Sequence, residues 1–145
     1  MIKLVELTMD NFDECVRLQV GDSQKGFVAS NAYSLSEAFA DKVSEPRSIY
    51  ADETMVGFIM YDYDPGKETR FISRLMIDKC FQKIGYAREA MQIVIKKFKG
   101  IQDCKYIQLS YCKENNNAAR FYEKLSFVKT GEVTNNGEII CRITK

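Results

Sequence analysis

Arg74-Leu-Met-Ile77-Asp-Lys-Cys-Phe-Gln82-Lys-Ile-Gly85-Tyr-Ala87 is the stretch on which the fold turns. It ends an apolar, β-rich run that begins at Thr69, crosses a short polar loop after Ile77, and enters a helix whose first turn carries glycine and alanine. Further on, Ala87, Ala90, Met91, Val94 and Phe98 recur at helical spacing, lysines line the opposite face, and Gly100 supplies the stop. Lys105 to Tyr111 then reads as a strand. Strand, long amphipathic helix and strand in this order predict a right-handed parallel crossover.

Upstream of this unit, Ile2 to Leu7 alternates apolar with polar residues as a half-buried strand does. Thr8 can cap a helix carrying Phe12, Cys15, Val16 and Gln19 on one face. A second helix is expected from Ser34, where Ser34-Leu35-Ser36-Glu37 fits a capping box and Leu35, Ala38 and Phe39 form a buried stripe. The apolar segment Gly26 to Tyr33 joins the two helices as a loop. Ser48 to Ala51 and Thr54 to Tyr63 are β-rich runs with Asp52-Glu53 as their turn, and Pro65-Gly66 turns the chain into the Thr69 strand.

Downstream, Asn115 to Leu125 reads as a helix, Phe127 to Val133 as a strand, and Asn135-Asn136-Gly137 as the turn into a last strand, Ile139 to Ile143. The predicted order is β-α-α-β-β-β-α-β-α-β-β, an α/β fold with a mixed, mostly antiparallel central sheet flanked by helices. No linker, repeat or low-complexity stretch divides the sequence, so a single domain over residues 1–145 is expected.

Composition narrows the function. With 145 residues, 46% of them hydrophobic, the chain can bury about two-thirds of its unfolded surface without disulfides or metal clips. Lys and Arg number 21 against 20 Asp and Glu, a net charge of +1, which removes the electrostatic case for a nucleic-acid or membrane-surface partner. The absence of histidine excludes Ser-His-Asp and Cys-His catalysis and any histidine metal site. The five cysteines (Cys15, Cys80, Cys104, Cys112 and Cys141) show no C-x-x-C pair, so neither zinc nor a disulfide framework is indicated, and all five are expected to be core thiols. The N-terminus lacks the apolar run of a signal peptide and no stretch approaches ~20 apolar residues, which points to a reducing cytoplasm.

The chemistry concentrates in two places. A helix N-terminus preceded by a loop of free N–H groups attracts anions, because those donors are unpaired and the macrodipole puts about half a positive charge there. A pyrophosphate would fit the loop from Gln82 to Ala87, although a glycine at a helix start reads equally as backbone punctuation. In the second place, Tyr122 shares a helix face with Ala118 and Leu125 and reads on periodicity as a half-buried core tyrosine, while Asn115 reads as an N-cap. A nucleotide-binding protein is disfavoured, since both G-x-G-x-x-G and G-x-x-x-x-G-K-[ST] are missing and the meander precedes the crossover.

Taken together, the two segments resemble the GNAT N-acetyltransferase superfamily. Its pyrophosphate loop, Q/R-x-x-G-x-G/A, is matched by Gln82, Gly85 and Ala87, and its later signature, N-x-x-A-x-x-F-Y-x-x-x-G-F, by Asn115, Ala118, Phe121, Tyr122 and Phe127. The sequence departs from the pattern in three places: Lys83 and Ile84 stand in a loop that commonly has more glycine, Ser126 replaces the glycine after the second helix, and Ser73 stands where a narrower group often has aspartate. That narrower group is the bacterial diamine (spermine/spermidine) acetyltransferases, which Gln24 to Leu35, Val56 to Met60 and Arg74 to Asp78 resemble.

The resemblance implies a GNAT-like sheet and acetyl-CoA as donor, with no metal. The donor would be held by backbone groups of Leu75, Met76 and Ile77, by Gln82, Lys83, Ile84, Gly85, Tyr86 and Ala87, and by Asn115, Ala118 and Tyr122. It implies direct acetyl transfer to a primary amine, a polyamine or diamine in the narrower group, with Tyr122 protonating the leaving thiolate. A tyrosine pKa of ~10 against a thiol of ~8.5 serves that step. A protonated alkylamine with a pKa of ~10 must first lose a proton and be attracted to the cleft, which calls for carboxylates. Asp22, Glu37 and Asp62 are the candidates and Phe27 a candidate wall for the aliphatic stem; each reads also as surface charge or core cover.

Two readings stay open beside the polyamine one: a noncatalytic acyl-CoA-binding module, and an acetyltransferase for another amine, whether an antibiotic, an amino acid or a peptide N-terminus. A homodimer through an exposed edge such as the C-terminal hairpin is also open at this stage.

Overall fold

Seven strands form one sheet in the order β1-β2-β3-β4-β5-β7-β6 in the computed structural model, which describes residues 1–62 and 66–145. The strands are β1 (Ile2–Glu6), β2 (Ser44–Ala51), β3 (Thr54–Asp62), β4 (Thr69–Ile77), β5 (Tyr106–Tyr111), β6 (Val128–Val133) and β7 (Ile139–Thr144). The helices are α1 (Phe12–Arg17), α2 (Asn31–Asp41), α3 (Tyr86–Lys99) and α4 (Asn116–Lys124), in the order the sequence predicts. Every neighbouring pair is antiparallel except β4 and β5, which run parallel on either side of the α3 crossover.

β3 is an interior strand and is buried without interruption from Met55 to Tyr61, because each face of the sheet has its own cover. On one face, Ala90, Met91, Val94 and Phe98 of α3 are fully buried against Ile59, Ile107 and Cys141. On the other, Cys15, Val20, Phe58, Met60 and Met76 form a smaller cluster under α1 and α2. A fully buried apolar side chain contributes roughly 1.5–3 kcal/mol, so the α3 stripe is a strong anchor of the helix on the sheet.

Several local expectations need correction. α1 has only six residues, and Cys15 alone is buried, with Phe12 and Val16 40% and 37% exposed; Gln19 lies beyond its end. Thr8 does not cap it by its side chain: its carbonyl takes the Asn11 and Phe12 N–H groups, and its hydroxyl takes that of Asp10. α2 begins at Asn31, not Ser34, because Ser30 Oγ accepts the Tyr33 N–H at 3.1 Å. That start puts Asn31, Ser34, Leu35 and Ala38 on the packed stripe, while Phe39 falls off it and is 86% exposed.

β2 starts four residues earlier than expected and contains Pro46, normally a strand breaker. It is tolerated because β1 pairs only with residues from Arg47 onward, so the missing N–H faces no strand on that side. Gly100 ends α3 in a right-handed conformation, not the left-handed one a C-terminal glycine suggests. Only Cys15, Cys104 and Cys141 are core thiols; Cys80 is exposed and Cys112 half-buried. The expected strand end at Tyr63 and the Pro65 half of the next turn lie outside the described residues. No helix among the described residues is long and apolar enough to cross a membrane.

Candidate active site

β4 and β5 stay paired over only three residues, Thr69 with Tyr106, Arg70 with Ile107 and Phe71 with Gln108, and then separate. The separation follows from β4 itself. Met60 of β3 pairs with Arg74 but the next residue, Tyr61, pairs with Ile72, so Ser73 is an extra residue bulged out of β4, its hydroxyl donating to Met60 O at 3.3 Å. A bulge bends and twists the strand that carries it. Past it, the antiparallel ladder continues as far as Asp78, whose N–H donates to Val56 O at 2.8 Å. Alternation along that ladder turns the N–H and C=O of Leu75 and Ile77 away from β3 and into the gap. Met76 instead points its side chain into the α2-side core. The gap opens a cleft of about 1140 Å³ between the diverging strands.

At one end of the cleft lies the loop leading into α3. Asp78 Oδ1 accepts the Cys80 N–H at 3.0 Å and Oδ2 the Gln19 N–H at 2.9 Å. Burial alone would raise the pKa of this carboxyl, but those hydrogen bonds and Lys79 hold it below the usual range. Gln82 is spent inward, its Nε2 donating to Ile77 O at 2.9 Å and to Gln24 Oε1 at 2.8 Å. φ is positive at Lys83 (65°) and at the α3 N-cap Gly85 (105°), with Ile84 negative between them. Alternating backbone of this kind gathers successive N–H groups into a concave nest. Among the described residues, none of the backbone N–H groups from 83 to 88 donates to an acceptor, and they lie where the α3 dipole is most positive. Lys83, Gly85, Tyr86 and Ala87 line the cleft, whereas Ile84 is 60% exposed and outside its lining.

α4 forms the opposite wall. Asn115 Oδ1 accepts the Ala118 N–H at 3.1 Å, so the asparagine is a true N-cap, and its amide nitrogen makes no hydrogen bond among the described residues at the cleft. Tyr122 is packed among Tyr111, Phe121 and Phe127, with ring centroids 5.9, 5.2 and 5.9 Å away. Its hydroxyl makes no hydrogen bond among the described residues, and the residue lines the cleft. Burial in this aromatic setting, with Cys141 nearby, pushes its pKa well above the ordinary value, so the hydroxyl remains a proton donor through neutral and mildly alkaline pH.

The candidate acceptor residues divide. Phe27 and Glu37 reach the cleft. Glu37 is already engaged: Arg74 holds its carboxylate at 3.3 Å and donates through Nε to Ser34 Oγ at 3.1 Å. Asp22 is not part of the lining; its side chain is 97% exposed and pairs with Lys25 at 3.1 Å. Asp62 closes β3 opposite Ser44 and is also outside the lining.

A split parallel pair, an N–H nest at its mouth and a half-buried tyrosine on its far wall therefore share one cleft. The family model described as Acetyltransferase (GNAT) family matches residues 12–127, which spans β4, the nest and α4. The chain belongs to the GNAT acetyltransferase family.

Relatives of this acetyltransferase are found at modest identity. A probable spermine N(1)-acetyltransferase of Bacillus subtilis subsp. natto (strain BEST195) is 29% identical over 143 residues, and a spermine/spermidine N(1)-acetyltransferase of Bacillus subtilis (strain 168) 28%, with 94% of each chain covered in both cases. Solved structures share the fold at lower identity. PaiA N-acetyltransferase from Thermoplasma acidophilum, in complex with coenzyme A, has a TM-score of 0.66 at 18% identity and covers 100% of this chain and 99% of that one. Arabidopsis thaliana Naa50, in complex with a bisubstrate analogue, has a TM-score of 0.73 at 17% identity with 99% of both chains covered.

Residues of this acetyltransferase that sequence reading passed over also reach the site. Arg74 fastens α2 to β4, and Gln24 ties the α1–α2 connection to the nest. Glu138, just before β7, lines the cleft with Ser110, whose hydroxyl donates to Glu138 Oε1 at 2.7 Å. Their only sequence signal was the Asn-Gly turn that folds β7 back along β6.

Proposed function

We propose that the chain acts as one acetyltransferase domain over residues 1–145, moving the acetyl group of acetyl-CoA to a primary amine of a polyamine or diamine. The observation that carries this reading is the continuity of the cleft: the nest with its unpaired N–H groups, Leu75 with its outward backbone groups, Ile77 with its outward N–H, and Tyr122 line a single cavity.

The residues fit the donor. A diphosphate needs several convergent N–H donors, which Lys83, Ile84, Gly85, Tyr86 and Ala87 offer, with the Lys83 ammonium adding charge. The amide-bearing arm of CoA can extend the open edge of β4, bonding Leu75 and Ile77 as an added strand would, with Asn115 and Ala118 on the other side. Gln82 serves by bracing the loop from within.

In the reaction, the free amine nitrogen attacks the thioester carbonyl and the C–S bond breaks. The electron pair leaves on sulfur, Tyr122 donates its phenolic proton there, and the attacking nitrogen gives up its surplus proton to solvent, from which the phenolate is reprotonated. Holding the two reactants in one cleft converts an intermolecular encounter into an oriented one, which contributes more than the proton transfer does.

Acceptor class rests on the likeness to the spermine and spermidine acetyltransferases and on the carboxylates at the cleft. The test is CoA-thiol release against a panel of spermidine, spermine, diamines, aminoglycosides, amino acids and N-terminal peptides. Preferred turnover of the polyamines supports the reading; turnover confined to another class replaces the acceptor, and CoA binding without any turnover replaces the enzyme with a binding module.

A further inference from the structure

The carboxylates at the cleft are not equivalent. Glu37 is held by Arg74, whereas Glu138 forms no ion pair with lysine or arginine among the described residues. Among the described residues its carboxylate receives only the Ser110 hydroxyl at 2.7 Å, which leaves most of its lone pairs available. A short clamp fixes the residue. Glu138 N–H donates to Thr134 Oγ1 at 3.0 Å, the Thr134 N–H donates to Glu138 O at 2.9 Å, and Gly137 N–H closes the turn onto Thr134 O at 2.9 Å.

The sheet sets this fixed carboxylate at the cleft. Glu138 directly precedes Ile139, whose partner across the β5–β7 ladder is Tyr111, and the Tyr111 ring lies 5.9 Å from that of Tyr122. Ser110, which strand alternation puts on the sheet face opposite Tyr111, holds the Glu138 carboxylate there, and both Glu138 and Tyr122 line the cleft.

We infer that Glu138, oriented by Ser110, is the anchor for an ammonium group of the acceptor other than the one acetylated, and so selects amines carrying a second positive charge. This rests on the acetyltransferase and polyamine reading above. An ammonium presents three donors to a carboxylate, and a charge-assisted hydrogen bond is stronger than a neutral one, so the contact favours a diamine or polyamine over a monoamine of similar length.

The test compares full-length wild type with Glu138→Gln and Ser110→Ala, measuring kcat/KM for spermidine and for propylamine at saturating acetyl-CoA, with Tm as a fold check. In Glu138→Gln the spermidine-to-propylamine ratio is expected to fall about tenfold or more, carried by the KM for spermidine. Ser110→Ala is expected to move it the same way by less. A purely structural role would lower both substrates together and leave the ratio unchanged, and that result overturns the inference. A wild type that uses spermidine while Glu138→Gln keeps its ratio overturns this inference alone; a wild type that uses no polyamine overturns the acceptor reading and the inference together.

Discussion

Phe127 is tied to Tyr122 through both backbone and ring. Its N–H donates to Tyr122 O at 3.1 Å, and its ring meets the Tyr122 ring edge-on, with centroids 5.9 Å apart at 71°. Together with Ser126 N–H on Glu123 O at 2.9 Å, this is a Schellman stop to α4, in which Ser126 takes the left-handed position at φ 75°. The hydrophobic contact that normally accompanies such a stop is here the contact that fixes the proposed acid. The non-glycine at Ser126 costs about 1 kcal/mol, a local strain that the buried Phe127 ring offsets.

Tyr122→Phe keeps this packing and removes only a hydroxyl with no hydrogen-bond partner among the described residues. Turnover is expected to fall ~10²–10⁴-fold with acetyl-CoA affinity nearly unchanged and Tm little altered. Single-turnover rates and thermal melts check it. A structural tyrosine would instead lose about 1 kcal/mol of stability and keep its turnover.

At the nest, a side chain on Gly85 would meet no atom within 4 Å, so the obstacle to substitution is its φ of 105°. Gly85→Val is expected to disturb the N–H groups and abolish CoA binding by calorimetry, while costing only about 1–2 kcal/mol of stability. Lys83→Gly separates strain from charge: relief of the positive φ should stabilise the fold by about 1 kcal/mol while CoA binding weakens.

Much of the site was legible because it sits where a local rule applies. Gly85 and Ala87 at a helix start and Asn115 at a helix cap announce themselves in sequence, and the helical stripe Ala90, Met91, Val94 and Phe98 fixed the crossover. What stayed hidden depended on pairing. The bulge at Ser73 exists only relative to Met60, and the occupation of Glu37 by Arg74 joins residues far apart in sequence. Ser34-Leu35-Ser36-Glu37 satisfied the capping-box spacing, yet Ser30 was the better-placed oxygen and left Glu37 for Arg74. Glu138 was unreadable for the same reason, since only the β5–β7 register brings it to Ser110.

The pH dependence follows from the tyrosine. With no histidine in the chain and the Tyr122 pKa raised, the group that limits the rate is the acceptor ammonium, with a pKa of ~10. The kcat/KM for spermidine is expected to climb from about pH 6 toward about pH 10 with no falling limb from Tyr122 in that range. A bell with a descending limb below about pH 9 would contradict this.

Asp78 makes a stability prediction of the opposite sense. Its folded-state pKa lies below the ordinary carboxyl value, so its stabilisation is present above ~3.9 and is lost as pH falls through the lowered value. Asp78→Ala removes an N-cap and the Gln19 contact. It is expected to cost about 1 kcal/mol at neutral pH, shrinking in strong acid, as urea midpoints at the two pH values would record.

The most direct test of the account is the product. Spermidine incubated with the protein and acetyl-CoA, then analysed by mass spectrometry beside thiol titration, is expected to carry a single acetyl group on a terminal primary amine, with one CoA thiol released per acetyl transferred. Acetyl-CoA hydrolysis no faster than without protein, together with unmodified spermidine, would contradict it.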